Sequence, residues 1–150
     1  MTPKVAVLMG SPNDKDKMAG AAQMLERFGI EVDERVLSAH RNPHQVAEFA
    51  EGLRDNGYVA AICGAGMAAH LAGVVAAHTT LPVIGVPLSG GALNGVDALY
   101  ATVQMPKGIP VATVAVDGSA NAGILVAEML SITDKEIADK LAEFRAGGAR

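Results

Sequence analysis

A histidine and an arginine are adjacent in a polar segment, residues 38–43, which follows a predicted strand at residues 30–37. An imidazole exchanges protons near neutral pH and a guanidinium binds anions, so His40 and Arg41 together suit proton transfer on an anionic ligand. His44 lies four residues after His40, which is the helical spacing of a zinc pair. Pro43 is typical of a first helical position and leaves His40 outside the helix, so we predict no metal site. A loop histidine that is merely hydrogen-bonded is the alternative for His40.

A second candidate segment, residues 10–14, joins the first predicted strand to the first predicted helix. Small residues before a helix leave free N–H groups and the positive end of the helix dipole facing an anion. Asp14 could instead cap the helix or accept hydrogen bonds from ribose hydroxyls. The segment lacks the Gly-Lys-Ser/Thr element of a P-loop, and a simple capped turn is the alternative.

Residues 64–69 match the Gly-x-Gly-x-x-Ala fingerprint of dinucleotide-binding folds. Those folds need an acidic residue about 20 positions later for the ribose, and no Asp or Glu occurs between Asp55 and Asp97. We therefore predict that the glycines let the backbone approach a phosphorylated ligand and that no nicotinamide cofactor binds. His70 follows at the start of a helix, where a hydrogen-bonded core histidine is the alternative.

Weaker signals come from three other features. Cys63 ends an apolar strand, as a small core residue would. Residues 89–91, Ser-Gly-Gly, could donate backbone N–H groups to an anion, although a flexible loop explains them equally well. No Gly-x-Ser-x-Gly elbow is present to support nucleophilic catalysis.

Short apolar runs alternate with segments of helical periodicity along the chain. Strands are predicted at residues 5–9, 30–37, 59–63, 83–86 and 110–116, and helices at 13–28, 43–56, 67–77, 94–104 and 120–130. A last helix, from a capping box of Thr133 and Glu136 to Arg145, precedes a tail at residues 145–150 that we expect to be frayed. The alternation predicts one α/β domain over residues 1–150, with a central parallel sheet of about five strands and helices on both faces. Ligands of such sheets bind beyond the carboxyl ends of the strands, where the polar segments above lie.

Composition and charge exclude several classes of protein. Half of the 150 residues are hydrophobic, and the formal net charge of −4 with no run of Lys or Arg argues against nucleic-acid binding. A single cysteine allows no intrachain disulfide. Together with the lack of a secretory signal pattern, it predicts a cytoplasmic protein.

No Asp, Glu, Lys or Arg occurs from Asn56 to Val96. A membrane span would fit within this block at residues 58–77, but Gly and Ala dominate it and His70 lies inside it, so we predict no contact with a membrane. A small monomer has little interior in which to bury so many uncharged residues. We therefore expect part of the block to be buried between subunits of a homo-oligomer.

Together these segments resemble the class I N5-carboxyaminoimidazole ribonucleotide mutases. The matching residues are Met9-Gly10-Ser11 with Asp14, Ser38-Ala39-His40-Arg41 with Pro43, Gly64-Ala65-Gly66 with Ala68-Ala69-His70-Leu71, Gly85-Val86-Pro87, Leu93 with Gly95-Val96-Asp97, and Val103-Gln104-Met105-Pro106 with Gly108-Ile109-Pro110-Val111. The resemblance covers residues 5–130 in register. It implies a flavodoxin-like three-layer α/β/α domain in a homo-octamer whose sites lie at subunit boundaries.

The resemblance also implies an activity and the residues that carry it. A carboxylate would move from the exocyclic nitrogen of N5-carboxyaminoimidazole ribonucleotide to ring carbon 4, in de novo purine biosynthesis, without metal, biotin, ATP or another cofactor. His40 is the implied acid and base. The implied substrate-binding residues are Ser11, Asn13, Asp14, Ser38, Arg41, Gly66, His70 and Leu71, with Arg41 suited to the phosphate and His70 to the carboxylate.

Three residues depart from the family pattern. Asn13 stands where Ser is usual, near the expected phosphate, Met67 replaces a usual Gly, and Ala72 a usual Pro. Class II relatives, which carboxylate aminoimidazole ribonucleotide directly with carbon dioxide, lack the Ala-Ala-His-Leu element, so His70 favours class I. A class II carboxylase and a non-catalytic nucleotide-binding module are the alternatives.

Overall fold

Five parallel strands form the centre of the chain in the computed structural model, which describes residues 1–150. The strands are β1 (Lys4–Met9), β2 (Glu31–Val36), β3 (Tyr58–Gly66), β4 (Val83–Leu88) and β5 (Ala112–Thr113), and they pair in the order β2-β1-β3-β4-β5. The helices are α1 (Lys15–Arg27), α2 (Pro43–Gly52), α3 (Leu71–His78), α4 (Val96–Val103), α5 (Ser119–Ser131) and α6 (Lys135–Ala146), and a 3-10 turn at Pro12–Asp14 leads into α1. This is the strand order of flavodoxin-like domains, so the predicted three-layer fold is confirmed.

The two faces of β1 explain why helices cover both sides of the sheet. Neighbouring side chains of a strand point to opposite faces, so Val5 and Val7 pack with α1, α5 and α6, whereas Ala6 and Leu8 pack with α2 and α3. All four side chains are fully buried. Because both faces of β1 are covered by helices, residues 5–8 are all apolar and do not alternate with polar residues.

The strand order places a crevice between β1 and β3. Strand β1 has β2 as its neighbour on one side and β3 on the other. The segments that follow β1 and β3 therefore lead away from each other and leave a crevice between them. The two strands stay joined up to this point, since the N–H of Gly10 donates to the carbonyl of Gly64 at 3.3 Å. The polar segments predicted from the sequence flank this crevice.

Glycine allows α1 and α5 to approach each other closely. A Cβ atom on Gly123 would lie 2.8 Å from the backbone oxygen of Ala21 and 3.1 Å from Cβ of Met24. We expect Gly123→Ala to lower the free energy of unfolding by about 1–3 kcal/mol, because the added methyl group meets backbone that cannot move aside. Chemical denaturation measures this change. Gly52→Ala is the control, since its nearest neighbour is the flexible end of Asn56; equal losses in both variants would contradict the explanation.

The ends of β3 and α3 differ from the prediction. Residues 64–66 pair with β4 and continue β3 instead of ending it. Helix α3 begins at Leu71 and not at Met67, because Met67 and Ala69 adopt left-handed φ values of 49° and 31°. The glycine-rich segment is therefore partly strand and partly an irregular loop.

Helix α2 ends at Gly52 and not at residue 56, and the remaining differences lie in the second half of the chain. Strand β5 covers only Ala112–Thr113 and not residues 110–116. Asp134, and not Thr133, caps α6, because its side-chain oxygen accepts the N–H of Ile137 at 3.2 Å. None of the helices combines the length and the hydropathy that a bilayer-crossing segment needs.

Candidate active site

The loops that follow β1, β2, β3 and β4 enclose a cleft of about 810 Å³ at the carboxyl edge of the sheet. All of the predicted site residues line this cleft: Ser11, Asn13, Asp14, Ser38, His40, Arg41, Gly66, His70 and Leu71. They come from three loops that are far apart in sequence, and the fold brings them together beside the β1–β3 crevice. A second cleft of about 830 Å³ lies at the opposite edge of the sheet and contains none of them.

The loop after β1 leads directly into α1. Ser11 has an extended backbone, and its Oγ accepts a hydrogen bond from the N–H of Asn13 at 3.2 Å. Asp14 precedes α1, but its carboxylate makes no hydrogen bond to the first turn, so it does not cap this helix. Burial raises the pKa of Asp14, against the charge of Lys17 and a backbone hydrogen bond from Ser11. A partly desolvated carboxylate of this kind suits the hydroxyl groups of a ligand.

Hydrogen bonds close the loop after β2 into a tight turn. The N–H of Asn42 donates to the carbonyl of Ser38 (2.8 Å), the N–H of Arg41 to Oγ of Ser38 (3.2 Å), and the N–H of Ser38 to the Asn42 side chain (3.4 Å). Asn42 directly precedes α2, but its side chain holds the turn and does not cap the helix. The guanidinium of Arg41 makes no hydrogen bond or ion pair within the chain, which leaves its donors free for an anion.

Two imidazoles meet at the centre of the cleft. Nε2 of His40 lies 2.5 Å from Nδ1 of His70, and the ring planes are nearly perpendicular, at 89°. One nitrogen must donate and the other accept, because two acceptors or two donors would repel at this distance. The pair therefore holds one proton between its rings, and each ring fixes the orientation of the other. His70 is not a core histidine, since its side chain is exposed to the cleft.

The loop after β3 carries His70 on an unusual backbone. The N–H of Ala69 donates to the carbonyl of Gly66 at 3.0 Å, and Met67 and Ala69 have positive φ values. The glycines do not form a dinucleotide loop. A Cβ on Gly64 would lie 2.3 Å from Sδ of Met18, so this glycine is needed for the packing of α1 against the sheet.

The left-handed backbone at position 67 favours glycine, although the chain has Met67 there. A side chain in the left-handed region costs roughly 1–2 kcal/mol, which glycine avoids. We expect Met67→Gly to leave the free energy of unfolding within about 1 kcal/mol of wild type, and Met67→Val to lower it by about 1–2 kcal/mol, because a β-branched residue fits this region poorly. Thermal denaturation of both variants tests this. A Met67→Val variant as stable as Met67→Gly would contradict the argument.

The single cysteine and the two other histidines lie outside the cleft. Cys63 is buried in β3, and this burial strongly raises the pKa of its thiol, as fits a core residue. His44 is exposed on α2, and His78 pairs with Glu51 at 3.0 Å near the opposite edge. No three His, Cys, Asp or Glu side chains lie close enough together to hold a metal ion.

Sequence reasoning missed two charged residues at the rim of the cleft. Lys17 and Asp117 both contact Ser89, which lines the cleft with Gly90 and Gly91. No motif joins them, because they lie 72 and 28 residues from Ser89 in sequence.

A family model described as AIR carboxylase matches residues 4–150 of this chain. The chain belongs to the AIR carboxylase family. N5-carboxyaminoimidazole ribonucleotide mutases of Saccharolobus solfataricus and Vibrio vulnificus are 51% and 50% identical to it, and each alignment covers 95% of this chain and 90% of the relative. Crystal structures of a PurE2 variant and of PurE from Treponema denticola superpose with TM-scores of 0.89 and 0.87, at 32% and 33% identity. The superpositions cover 99% and 98% of this chain, respectively, and 92% of each solved chain.

Proposed function

We propose that the chain is an N5-carboxyaminoimidazole ribonucleotide mutase, an isomerase of de novo purine biosynthesis that forms 4-carboxy-5-aminoimidazole ribonucleotide. The observation that carries the proposal is the 2.5 Å contact between His40 and His70 in a cleft that also offers the free guanidinium of Arg41. An oriented imidazole beside an anion-binding group suits proton transfer on a phosphorylated substrate. The relatives of that name, half identical over 95% of the chain, support the same reaction.

The reaction needs one group that first gives a proton and later takes one. The bond between the exocyclic nitrogen and the carboxylate carbon breaks, the nitrogen gains a proton, and carbon dioxide is released into the cleft. Ring carbon 4 then attacks carbon dioxide, and loss of the proton on that carbon restores the aromatic ring. His40 donates the first proton and accepts the second, so it returns to its starting state. The reaction consumes no co-substrate.

The other predicted residues bind the nucleotide in this scheme. Arg41 binds the phosphate, with Asn13 and the N-terminus of α1 beside it. Asp14 accepts hydrogen bonds from the ribose. The base and its carboxylate lie beside the histidine pair, against the residues contributed by the loops after β2 and β3: Ser38, Gly66, His70 and Leu71.

The contact between the imidazoles gives His70 a testable role. We expect His70→Ala to lower kcat by a factor on the order of 10², because His40 loses the partner that fixes its tautomer and orientation. His78→Ala is the matched control, since His78 lies near the opposite edge of the sheet. Steady-state kinetics test this role: a raised KM at unchanged kcat would instead mean that His70 only binds the substrate.

We propose that the chain works as a homo-octamer with sites at subunit boundaries. Support comes from α4, where Val96, Tyr100 and Val103 recur at helical spacing and are 51%, 66% and 46% exposed. Leu93, just before this helix, is 61% exposed. Exposed apolar side chains grouped in this way are typical of a subunit contact. A monomeric mass by light scattering would refute the assembly.

We place the protein in the cytoplasm, where a reducing environment suits its single cysteine.

A comparison of two substrates tests the function. One reaction receives freshly made N5-carboxyaminoimidazole ribonucleotide, and the other receives aminoimidazole ribonucleotide with bicarbonate, at equal enzyme concentration. Fast formation of 4-carboxy-5-aminoimidazole ribonucleotide from the first, independent of bicarbonate, is the expected result. Turnover of the second alone would make the chain a direct carboxylase. Turnover of neither, with nucleotide binding retained, would make it a binding module.

A further inference from the structure

A network of charged side chains holds the loop that follows β4. Nζ of Lys17 donates to the carbonyl of Ser89 at 2.6 Å and lies 3.2 Å from its Oγ. The carboxylate of Asp117 accepts the Ser89 N–H at 2.9 Å and the Ser89 hydroxyl at 2.5 Å. Every polar group of Ser89 therefore has a charged partner from another part of the chain. Hydrogen bonds to charged groups are among the stronger ones.

The packing of α1 against α5 brings the two charges together. Lys17 lies in the first turns of α1, and its carbonyl accepts a hydrogen bond from the buried hydroxyl of Ser119, the first residue of α5, at 2.6 Å. Asp117 lies just before α5 with a left-handed φ of 59°, and its N–H donates to the carbonyl of Pro87 at 2.8 Å. Burial acts to raise the pKa of Asp117, but the hydrogen bonds from Ser89 and the charge of Lys17 outweigh it and lower this pKa. Asp117 is thus a carboxylate at neutral pH.

The loop beyond Ser89 has little else to hold it. Residues 90–94 donate no backbone hydrogen bond, and Gly90 and Gly91 have φ values of 143° and 66°. A Cβ on Gly91 would lie 3.2 Å from Cγ and Sδ of Met67, so the loop lies close to the flexible side chain of that residue. Nevertheless Gly90 and Gly91 line the cleft that contains His40. The position of their unpaired N–H groups therefore depends on Ser89 and its two charged partners.

We propose that Lys17 and Asp117 are positioning residues: through Ser89 they hold the unpaired N–H groups of Gly90 and Gly91 in the cleft, where these groups donate to an anionic group of the substrate. This inference rests on the proposed mutase function. The two N–H groups bind the substrate and take no part in the proton transfer at His40. Loss of the network therefore affects substrate binding more than the chemical step.

Variants of the network are compared with a surface pair of the same chemistry. Lys17→Met, Asp117→Ala and Ser89→Ala each remove one partner. Lys135→Met and Asp139→Ala are the matched controls, because these two residues form an exposed ion pair at 2.7 Å on α6. Two quantities are measured for all of them: the steady-state kinetics with freshly made N5-carboxyaminoimidazole ribonucleotide, and the hydrogen exchange of the residue-89 amide, which donates to Asp117.

In the network variants we expect KM to rise about tenfold, the scale of one lost charge-assisted hydrogen bond, with kcat changed less than about threefold. The residue-89 amide should exchange faster, because its hydrogen bond to Asp117 is lost or weakened, and the controls should change neither quantity. Lys17→Arg should recover most of the wild-type KM, since it retains a charged donor.

Three outcomes would overturn the inference: unchanged exchange in the loop, faster exchange at an unchanged KM, or a fall in kcat alone. The proposed function is tested separately from this inference. A wild-type chain that does not turn over the substrate would refute the mutase, while the exchange measurement would still report whether Lys17 and Asp117 hold the loop.

Discussion

His40→Asn should lower kcat by a factor on the order of 10³ while the chain still binds the nucleotide, since general acid–base catalysis contributes about 10²–10⁴-fold. An asparagine side chain can hydrogen-bond, but it neither gives nor takes a proton at neutral pH. The cost to the fold should be small, because His40 is exposed and its only side-chain hydrogen bond is to His70. Binding of the product and turnover of the substrate are measured on the same preparation.

His44→Asn controls for the substitution itself, since His44 is an exposed histidine outside the cleft, four residues further along the chain. It should keep wild-type turnover. If His40→Asn retained substantial activity, another residue would have to move the proton, and His70 would be the first to test because it already contacts the same ring. If the variant lost binding and turnover together, His40 would be a binding residue and the proposed proton transfer would fail.

The fold could be predicted from the sequence because buried parallel strands leave a clear pattern. The apolar runs that form β1 and β4 are buried on both sides by helices, so they cannot alternate with polar residues. The rule that ligands bind beyond the carboxyl ends of strands then placed three separate polar segments at one edge of the sheet. The structure places the residues of those segments in one cleft.

What could not be predicted are contacts between residues far apart in the chain. His40 and His70 are 30 residues apart, and nothing in either segment shows that Nε2 of one meets Nδ1 of the other. Ser89-Gly90-Gly91 looks like a flexible loop, because the charges that hold it come from α1 and from the turn before α5. The backbone conformation of the loop after β3 could not be predicted for a different reason. Met67 has a left-handed φ of 49°, a conformation that its residue type disfavours and that the sequence therefore does not predict.

Arg41→Met should raise KM by about 10- to 100-fold with little change in kcat, because a hydrogen bond to a charged group contributes about 1.5–3 kcal/mol to binding. The phosphate of the substrate does not change during the reaction, so its ligands stabilise the ground state and the transition state equally. The substitution should not disturb the fold, since the guanidinium makes no hydrogen bond or ion pair within the chain.

Arg54→Met is the control for loss of a surface arginine, because Arg54 lines the opposite cleft and donates to Thr80 at 3.0 Å. Its KM should equal that of wild type. Arg41→Lys should recover part of the loss, since a lysine keeps the charge but cannot bind a phosphate through two parallel hydrogen bonds. The KM of Arg41→Met should also depend less on salt than that of wild type, because screening weakens an exposed charge pair. A lower kcat at unchanged KM would place Arg41 at the reacting carboxylate, since only an interaction specific to the transition state changes kcat alone.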